Sequence, residues 1–501
     1  MTKEVDPTDM DSAVAAESSG CDTIGSSDDL LDESSSSVSI HTALHMVGYG
    51  AFQQRLLLVS GLMFMADAVE VMLLSFLQVL VKKEWNLTYA QEAGITAAVF
   101  AGELPGALFW GFFADKYGRR LGFLLSAFCI AVFGIASAFV PNVWWLMFCR
   151  ALVGFGVSGA LVPFDLLAEF LPDKERGRVL LIFQLYWTVG IAFVAGLAWI
   201  VVDTWGWRWL TGLCATPLVL VLFSFRWMPE SPKWLVDQHR LDEALEVLQA
   251  TASLNGTTLP PSMQLKPFEG KKCSQGVREL CSPKLRRVSL SLFMIWLGFG
   301  VSYYGIILLF PRIFQPKEGQ TFNYTCIFLA AVAEVAGVFL TIAIVDKLGR
   351  RTTQRWLYGL CTVAVALSAL DLDLVSLTIL AMAARAFIMG ASSTTWLATP
   401  EAFPTHVRTS GHGIASAMCR VGGFVTPFIA DSEDMSVAAV CLVYTCCLAL
   451  TTAACFALPP DTANPDLLHH HDEEDQACEL VALRDDDGAK KSDEDELGAE
   501  T

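Results

Sequence analysis

Apolar stretches of near 20 residues recur about twelve times along this 501-residue chain, each bounded by short polar or charged turns. This pattern constrains the fold more than any other feature. A stretch of that length spans the hydrocarbon core of a bilayer, where no water can satisfy backbone N–H and C=O groups. The backbone must bond to itself, so each stretch is expected to be an α-helix. The stretches lie near 55–81, 93–114, 121–140, 143–168, 180–202, 208–227, 288–310, 325–345, 353–371, 375–400, 411–430 and 436–458. The ninth is the weakest, because Asp371 and Asp373 crowd its end. The expected fold class is all-α membrane protein.

A charge pattern repeats across these stretches. Gly111-x-x-x-Asp115-Lys116-Tyr-Gly118-Arg119-Arg120 follows the second, and Asp346-Lys347-Leu-Gly349-Arg350-Arg351 follows the eighth. Each half then carries a Glu and an Arg seven residues apart: Glu169 with Arg176, and Glu401 with Arg408. Each also has a Glu twelve residues before the Asp, Glu103 and Glu334. A shared order of charges implies a duplication. Twelve transmembrane helices in two pseudo-symmetric six-helix bundles follow, an arrangement built for secondary transport.

Composition sets the boundaries. Hydrophobic residues make up 53% of the chain, too many for an ordinary soluble enzyme with such long apolar runs. The formal charge of −18 belongs to the tails: residues 1–40 hold ten acids and one lysine, and residues 459–501 hold fifteen acids and three bases. The remainder carries a small positive excess, and nothing suggests nucleic-acid binding. The expected organisation is a disordered acidic cytosolic tail over 1–50, a six-helix bundle over 51–227, a cytosolic loop over 228–287, a second bundle over 288–458 and a disordered acidic cytosolic tail over 459–501. The loop contains an amphipathic pattern from Leu241 to Ala252. His469, His470 and His471 read as a solvated tail run rather than a metal site. No cofactor or metal motif is present, the fourteen Cys show no disulfide or zinc spacing, and no nucleophile–base pair or phosphate loop suggests an enzyme.

Lys and Arg concentrate in the loops after the second, fourth, eighth and tenth stretches. By the positive-inside rule these loops and both termini face the cytosol. The N-terminus lacks a basic region followed by an apolar core, so no cleaved signal peptide is expected. Asn86 and Asn323 lie in Asn-x-Thr sequons on the outer side and are candidates for glycosylation; Asn255, in the cytosolic loop, is not. The expectation is a monomeric multi-pass protein of the plasma membrane or an intracellular vesicle, with the lipid bilayer, a small-molecule substrate and protons as its partners. Asp28-Asp29-Leu30-Leu31 and Asp466-Leu467-Leu468 offer short sorting signals.

The repeated turns suggest a gate. Gly118 permits a tight reversal between helices, and Arg119 and Arg120 can reach carboxylates on neighbours, with Glu169 and Glu401 the obvious partners. Asp115, Arg119, Arg120, Glu169, Arg176, Asp346, Arg350, Arg351, Glu401 and Arg408 form the expected cytosolic gate, closed in one state and broken in another. Inside the membrane, ionisable residues are costly and default to function. Asp67 and Glu70 lie near mid-membrane, three apart on one helix face, a pair suited to carrying a proton or holding an amine. Glu103, Glu334 and Arg420 join them. Arg420 wants an anion: Asp67, Glu70 or a substrate carboxylate. Arg150 and Arg385 match in the repeat and are expected to pair structurally. Tyr303, Tyr304, Trp187 and Trp396 can line a cavity for a flat ring, or pack as interface aromatics.

These turns are similar to those of the major facilitator superfamily. Pro229-Glu230-Ser231-Pro232-Lys233-Trp234-Leu235 resembles the Pro-Glu-Ser-Pro-Arg motif of its sugar-porter-like branch. Gly48-Tyr49-Gly50-x-Phe52-Gln53, Met65-Ala66-Asp67-Ala68-x-Glu70, Glu169-Phe170-Leu171-Pro172, Tyr303-Tyr304-Gly305, Ala333-Glu334 and Arg420-Val421-Gly422-Gly423 with Pro427 resemble the synaptic vesicle 2-related family more closely. Niacin and organic-ion transporters are similar relatives. The seventh stretch lacks the Gln-Gln…Asn pattern with which sugar porters bind hexose hydroxyls, and Ile342 stands where the first half has Gly111. The resemblance implies the major facilitator fold and alternating-access transport of a small organic ion; the buried acids Asp67 and Glu70 point to symport with protons, and Arg420, in agreement with the niacin-transporter resemblance, to an aromatic or heteroaromatic carboxylate. Organic-cation or sugar transport, and a ligand-reading protein without transport, are the alternatives.

Overall fold

In a computed structural model the described residues are 37–260, 263–267, 279–283, 285–314, 320–403, 405–430 and 435–458. Twelve helical spans follow the expected order. Span 1 is Ala51–Trp85, span 2 Tyr89–Tyr117 and span 3 Arg119–Ala136. Span 4 joins Val143–Val157 to Leu161–Glu169 through a short 3-10 turn, and span 5 lies within Asp173–Trp205. Span 6 is broken into Trp207–Cys214 and Thr216–Ser224. The second half contributes Arg286–Ile313, Tyr324–Leu348, Arg350–Leu367, Leu374–Ala402, Thr405–Ala430 and Val437–Ala457 as spans 7 to 12.

Among the described residues, eleven of these helices are long and apolar enough to cross a membrane. Span 9 falls short, but not because of the acids at the end of the ninth apolar stretch. Its eighteen residues carry Arg350, Arg351 and Arg355 at the start, whereas Asp371 and Asp373 lie beyond its end at Leu367. Asp373 belongs to the next helix: its carboxylate accepts from the amides of Val375 (3.1 Å) and Ser376 (3.2 Å), capping span 10. Thr88 with Gln91 caps span 2, Asn142 caps span 4 and Ser436 caps span 12 in the same way.

The two reversals that the repeat motif requires are made by Gly118 (φ 107°) between spans 2 and 3 and Gly349 (φ 80°) between spans 8 and 9. Only glycine enters this region without strain. These reversals mark the turn end of the molecule, opposite its far end. Small residues let helices touch. A Cβ at Gly102 would stand 1.9 Å from the Ala151 carbonyl oxygen, and one at Gly337 1.9 Å from that of Ala386, so spans 2 and 4, and spans 8 and 10, meet backbone to backbone. Across the halves, span 2 packs on span 11, span 5 on span 8 and span 1 on span 7.

At the turn end sits a small unit outside the spans. It comprises α1 (Ile40–Val47), α2 (Pro232–Asp237) and α3 (Leu241–Asn255), with β1 (Ser37–Val38) parallel to β2 (Gln264–Leu265). Leu44 and Val47 of α1 are buried against Leu235, Leu248 and Leu265. The tail expected over 1–50 therefore ends sooner: from residue 37 the chain has apolar side chains with a partner surface in the loop. The first 36 residues and 459–501, with their sorting signals and His469–His471, lie outside the described residues.

Candidate substrate and ion site

Asp67 and Glu70 are both buried at the middle of span 1. They do not form the expected joint site. Three residues advance a helix by about 300°, which leaves about 60° between the side chains, and a different arginine waits on each side. Glu70 receives Arg150 Nη1 of span 4 on both oxygens at 2.8 Å, and Arg150 Nε donates to Ser137 Oγ at 3.2 Å. Asp67 instead faces span 11, its Oδ2 3.7 Å from Arg420 Nη2, beyond hydrogen-bond distance.

Arg420 is the centre of a cluster drawn from both halves. Its Nε lies 2.8 Å from Glu103 Oε2 of span 2, and its Nη1 donates to the Tyr304 hydroxyl of span 7 at 3.1 Å. Glu103, rather than either acid of span 1, is thus its closest anion. Asp67 Oδ1 is buried with no hydrogen-bond partner among the described residues. A second chain of contacts runs through the C-terminal half. Arg385 Nη2 of span 10 is 2.8 Å from Glu334 Oε1, and the Tyr303 hydroxyl donates to the same oxygen at 3.1 Å. Trp187 Nε1 of span 5 donates in turn to the Tyr303 oxygen. Arg150 and Arg385 are each paired within their own half.

Between the halves lies a cavity lined by residues of both bundles. All four aromatics singled out in the sequence, Trp187, Tyr303, Tyr304 and Trp396, line it together with Asp67 and Arg420. Phe64 and Phe164 add rings, Phe64 at 5.3 Å from Trp187 and Phe164 at 6.5 Å from Trp396 across the halves. Glu70, Glu103 and Glu334 stand behind the wall rather than in it. Trp296, which carries no sequence signal of its own, fixes Trp396 by an edge contact at 4.9 Å and donates to Thr399 Oγ1 at 2.9 Å. The lining, largely aromatic and apolar with one acid and one cation, has the chemistry to hold a small ring-bearing ion.

The charged turns pair within each half. Arg119 meets Asp115 at 2.6 Å and lies 3.7 Å from Glu169, while Arg350 meets Glu401 at 3.1 Å. Arg120 departs from expectation. Glu230, of the Pro-Glu-Ser-Pro sequence, accepts from the Arg120 backbone N–H at 3.0 Å, and the guanidinium stacks 4.6 Å over the Phe225 ring. Arg351 donates to the Cys455 and Phe456 carbonyls, the last turn of span 12, where the helix leaves carbonyls open. Arg176 is exposed. The side chains of Asp346 and Arg408 lie outside the described residues. Asn86 is exposed, but Asn323 is fully buried and its Oδ1 faces the Cys326 amide at 3.5 Å as the cap of span 8. In this state the Asn323 side chain serves as a helix cap and leaves no room for a glycan.

The far end holds contacts that no motif announced. Glu92, at the start of span 2, is buried between Lys82 of span 1 at 2.8 Å and Arg312 of span 7. Tyr324 of span 8 donates to Asp203 of span 5 at 3.0 Å, and Phe76 meets Phe322 edge-on at 5.1 Å. The sequence signal was slight, a single acid, Glu92, just before the second apolar stretch.

The profile of the family described as "Sugar (and other) transporter" matches residues 57–472. The chain belongs to that family. Among its relatives, a protein of Arabidopsis thaliana called organic cation/carnitine transporter 7 is 34% identical over 439 residues, covering 78% of this chain and 88% of that protein. The synaptic vesicle 2-related protein of Xenopus laevis is 36% identical over 451 residues, 84% of this chain and 81% of that one. Two structures of the xylose transporter XylE from E. coli share the fold. The inward open form has a TM-score of 0.64 at 17% identity over 81% of this chain and 96% of that one; the partially occluded inward open form has 0.66 at 16%, over 84% and 99%. This sugar-transporter-family chain therefore has the major facilitator fold and is a multi-pass membrane transporter, not an enzyme.

Proposed function

We propose that this transporter moves a small aromatic or heteroaromatic carboxylate, niacin-like in size, by alternating access coupled to protons. The observation that carries the reading is the state of Arg420. Two of its nitrogens are held by Glu103 and Tyr304, while Nη2 lies 3.7 Å from Asp67 in an aromatic-walled cavity. A substrate carboxylate can take that donor edge at little cost, and rings of Trp187, Tyr303 and Trp396 can hold the flat remainder.

Charge balance then brings in the proton. Asp67 and Glu103 against Arg420 leave the cluster one negative charge in excess. An added carboxylate makes two, which a low-dielectric site tolerates only if an acid is protonated. Asp67, losing its weak contact with Arg420, is the acid placed to take the proton. Uptake should rise as the pH on the substrate side falls, and dissipating the pH gradient should abolish accumulation. Accumulation sustained by voltage or Na⁺ alone would remove the proton role.

A second reading rests on the same excess charge. Asp67 Oδ1, without a partner among the described residues, could hold an organic cation with no proton taken up, and one relative is named for organic cations and carnitine. Ligand-dependent thermal stabilisation of the purified protein separates the two. A ligand at a hundredfold its Kd stabilises by about 2.7 kcal/mol. If the carboxylate reading holds, nicotinate stabilises the wild type, Arg420→Gln loses the effect and Glu334→Gln keeps most of it. Stabilisation by carnitine that survives in Arg420→Gln and fails in Asp67→Asn would establish the cation reading instead.

In this proposal the turn end and both tails face the cytosol, as the arginine-rich turns require, in a plasma or vesicle membrane. The protein acts as a monomer, and Asn86 carries the glycan if one is present.

A further inference from the structure

We infer that Glu92, Lys82 and Arg312 form the gate at the far end, with Arg312 as the partner released on opening and Lys82 as the partner kept. Polar contacts between the halves are unevenly distributed along the molecule. At the charged turns, the pairs Arg119–Asp115, Arg119–Glu169 and Arg350–Glu401 each stay within one half. At the far end the pairs cross: Glu92 to Arg312, Tyr324 to Asp203, and Tyr89 to the Phe428 carbonyl. An alternating-access protein in this state is shut at the far end. To expose its cavity there, it must part those contacts.

Glu92 is the costly one, because it is only 1% exposed. A buried carboxylate that lost its only cation would resist opening strongly. The geometry avoids this. Glu92 lies in the first turn of span 2, and Lys82 lies in the last turn of span 1 beside it, in the same half. Arg312 lies in the last turn of span 7, in the other half. When the halves separate, Lys82 travels with Glu92 and keeps it compensated. The acid at a helix start and the cations at helix ends also complement the helix dipoles in the closed state.

The two cations therefore have opposite effects. Removing Arg312 weakens the closed state. Removing Lys82 leaves the closing bridge intact but strips the open state of its counter-ion. A merely structural role would move both variants the same way. Spin labels at Lys83→Cys and Val437→Cys, both at the far end, with reactive native cysteines replaced, report the distance between the halves without substrate and whichever face lies outside. Arg312→Gln should raise the ratio of long to short distances by on the order of tenfold. Lys82→Gln should lower it, and Arg312→Lys should match the wild type. These cation variants decide the matter even if Glu92→Gln inserts poorly. If Arg312→Gln and Lys82→Gln shift the distribution in the same direction, or neither shifts it, the gate assignment is overturned.

Discussion

Glu70 and Arg150 show how a single residue can be read correctly for depth and wrongly for partner. An acid in the middle of an apolar helix is conspicuous in a sequence; which of three buried arginines answers it is set by the rotation of span 1 against span 4. With the guanidinium fully buried, Glu70→Gln strands a cation and should cost roughly 3–5 kcal/mol. Replacing both partners together, as Glu70→Leu with Arg150→Met, should restore much of the loss, read as thermal unfolding in detergent. A double variant no more stable than Glu70→Gln would mean that the pair is not the source of the loss. Glycines make a parallel case at this scale. Gly337→Ala would set a methyl 1.9 Å from a backbone oxygen of span 10, which cannot move as a side chain can. Overpacking of that kind costs about 1–3 kcal/mol, and Gly111→Ala, with open space around it, should cost far less in the same measurement.

Elements were legible wherever a period or a cap was local. The apolar runs placed all twelve spans, and the pattern 241, 244, 245, 248 placed α3. The docking of the N-terminal segment was not legible, because it depends on residues some 200 positions apart. Asn255 Oδ1 accepts from the Phe52 amide at 3.0 Å and its Nδ2 donates to Gln53 Oε1 at 2.9 Å, so the end of α3 caps the start of span 1. This also explains Gly50: a Cβ there would stand 2.5 Å from the Asn255 side chain. Gly50→Ala and Asn255→Ala should each destabilise by about 1–2 kcal/mol. Combined, they should be much less than additive, since the second change removes the clash of the first; strict additivity in a double-mutant cycle would refute the contact. At span 10 the sign of a pH effect follows. Hydrogen bonds from the Ser376 hydroxyl and amide hold the Asp373 carboxyl below its usual range. A depressed folded value means that the cap is fully present above the unfolded value and is lost as pH falls through the folded one. Asp373→Ala should lower the unfolding temperature at neutral pH, and the difference should close in acid.

On the scale of the whole molecule, the described turn-end ion pairs, Arg119 with Asp115 and Glu169 and Arg350 with Glu401, each tie helices within one half. Their loss should therefore act on the cycle more than on ligand affinity. Asp115→Asn should cut transport at least tenfold while changing ligand-dependent thermal stabilisation little; normal transport kinetics in that variant at normal surface expression would dismiss the role. The cavity itself was half legible. Every aromatic chosen from the sequence reaches its wall, since large rings among small residues have few places to go in a helix bundle. The division of acids between wall and interior was hidden, because it is fixed by contacts between halves that share no local sequence signal.

The repeat gives Glu103 and Glu334 the same place, yet only Glu334 finds its arginine at home. Glu103 crosses to Arg420, and Arg150, left behind, has been taken up by Glu70. The ancestral halves could in principle stand in for one another; these cannot. A C-terminal half made on its own would keep Glu334 with Arg385 but strand Arg420, and an N-terminal half would strand Glu103. Co-expressed as two fragments, they have an electrostatic reason to find each other and none to pair with themselves.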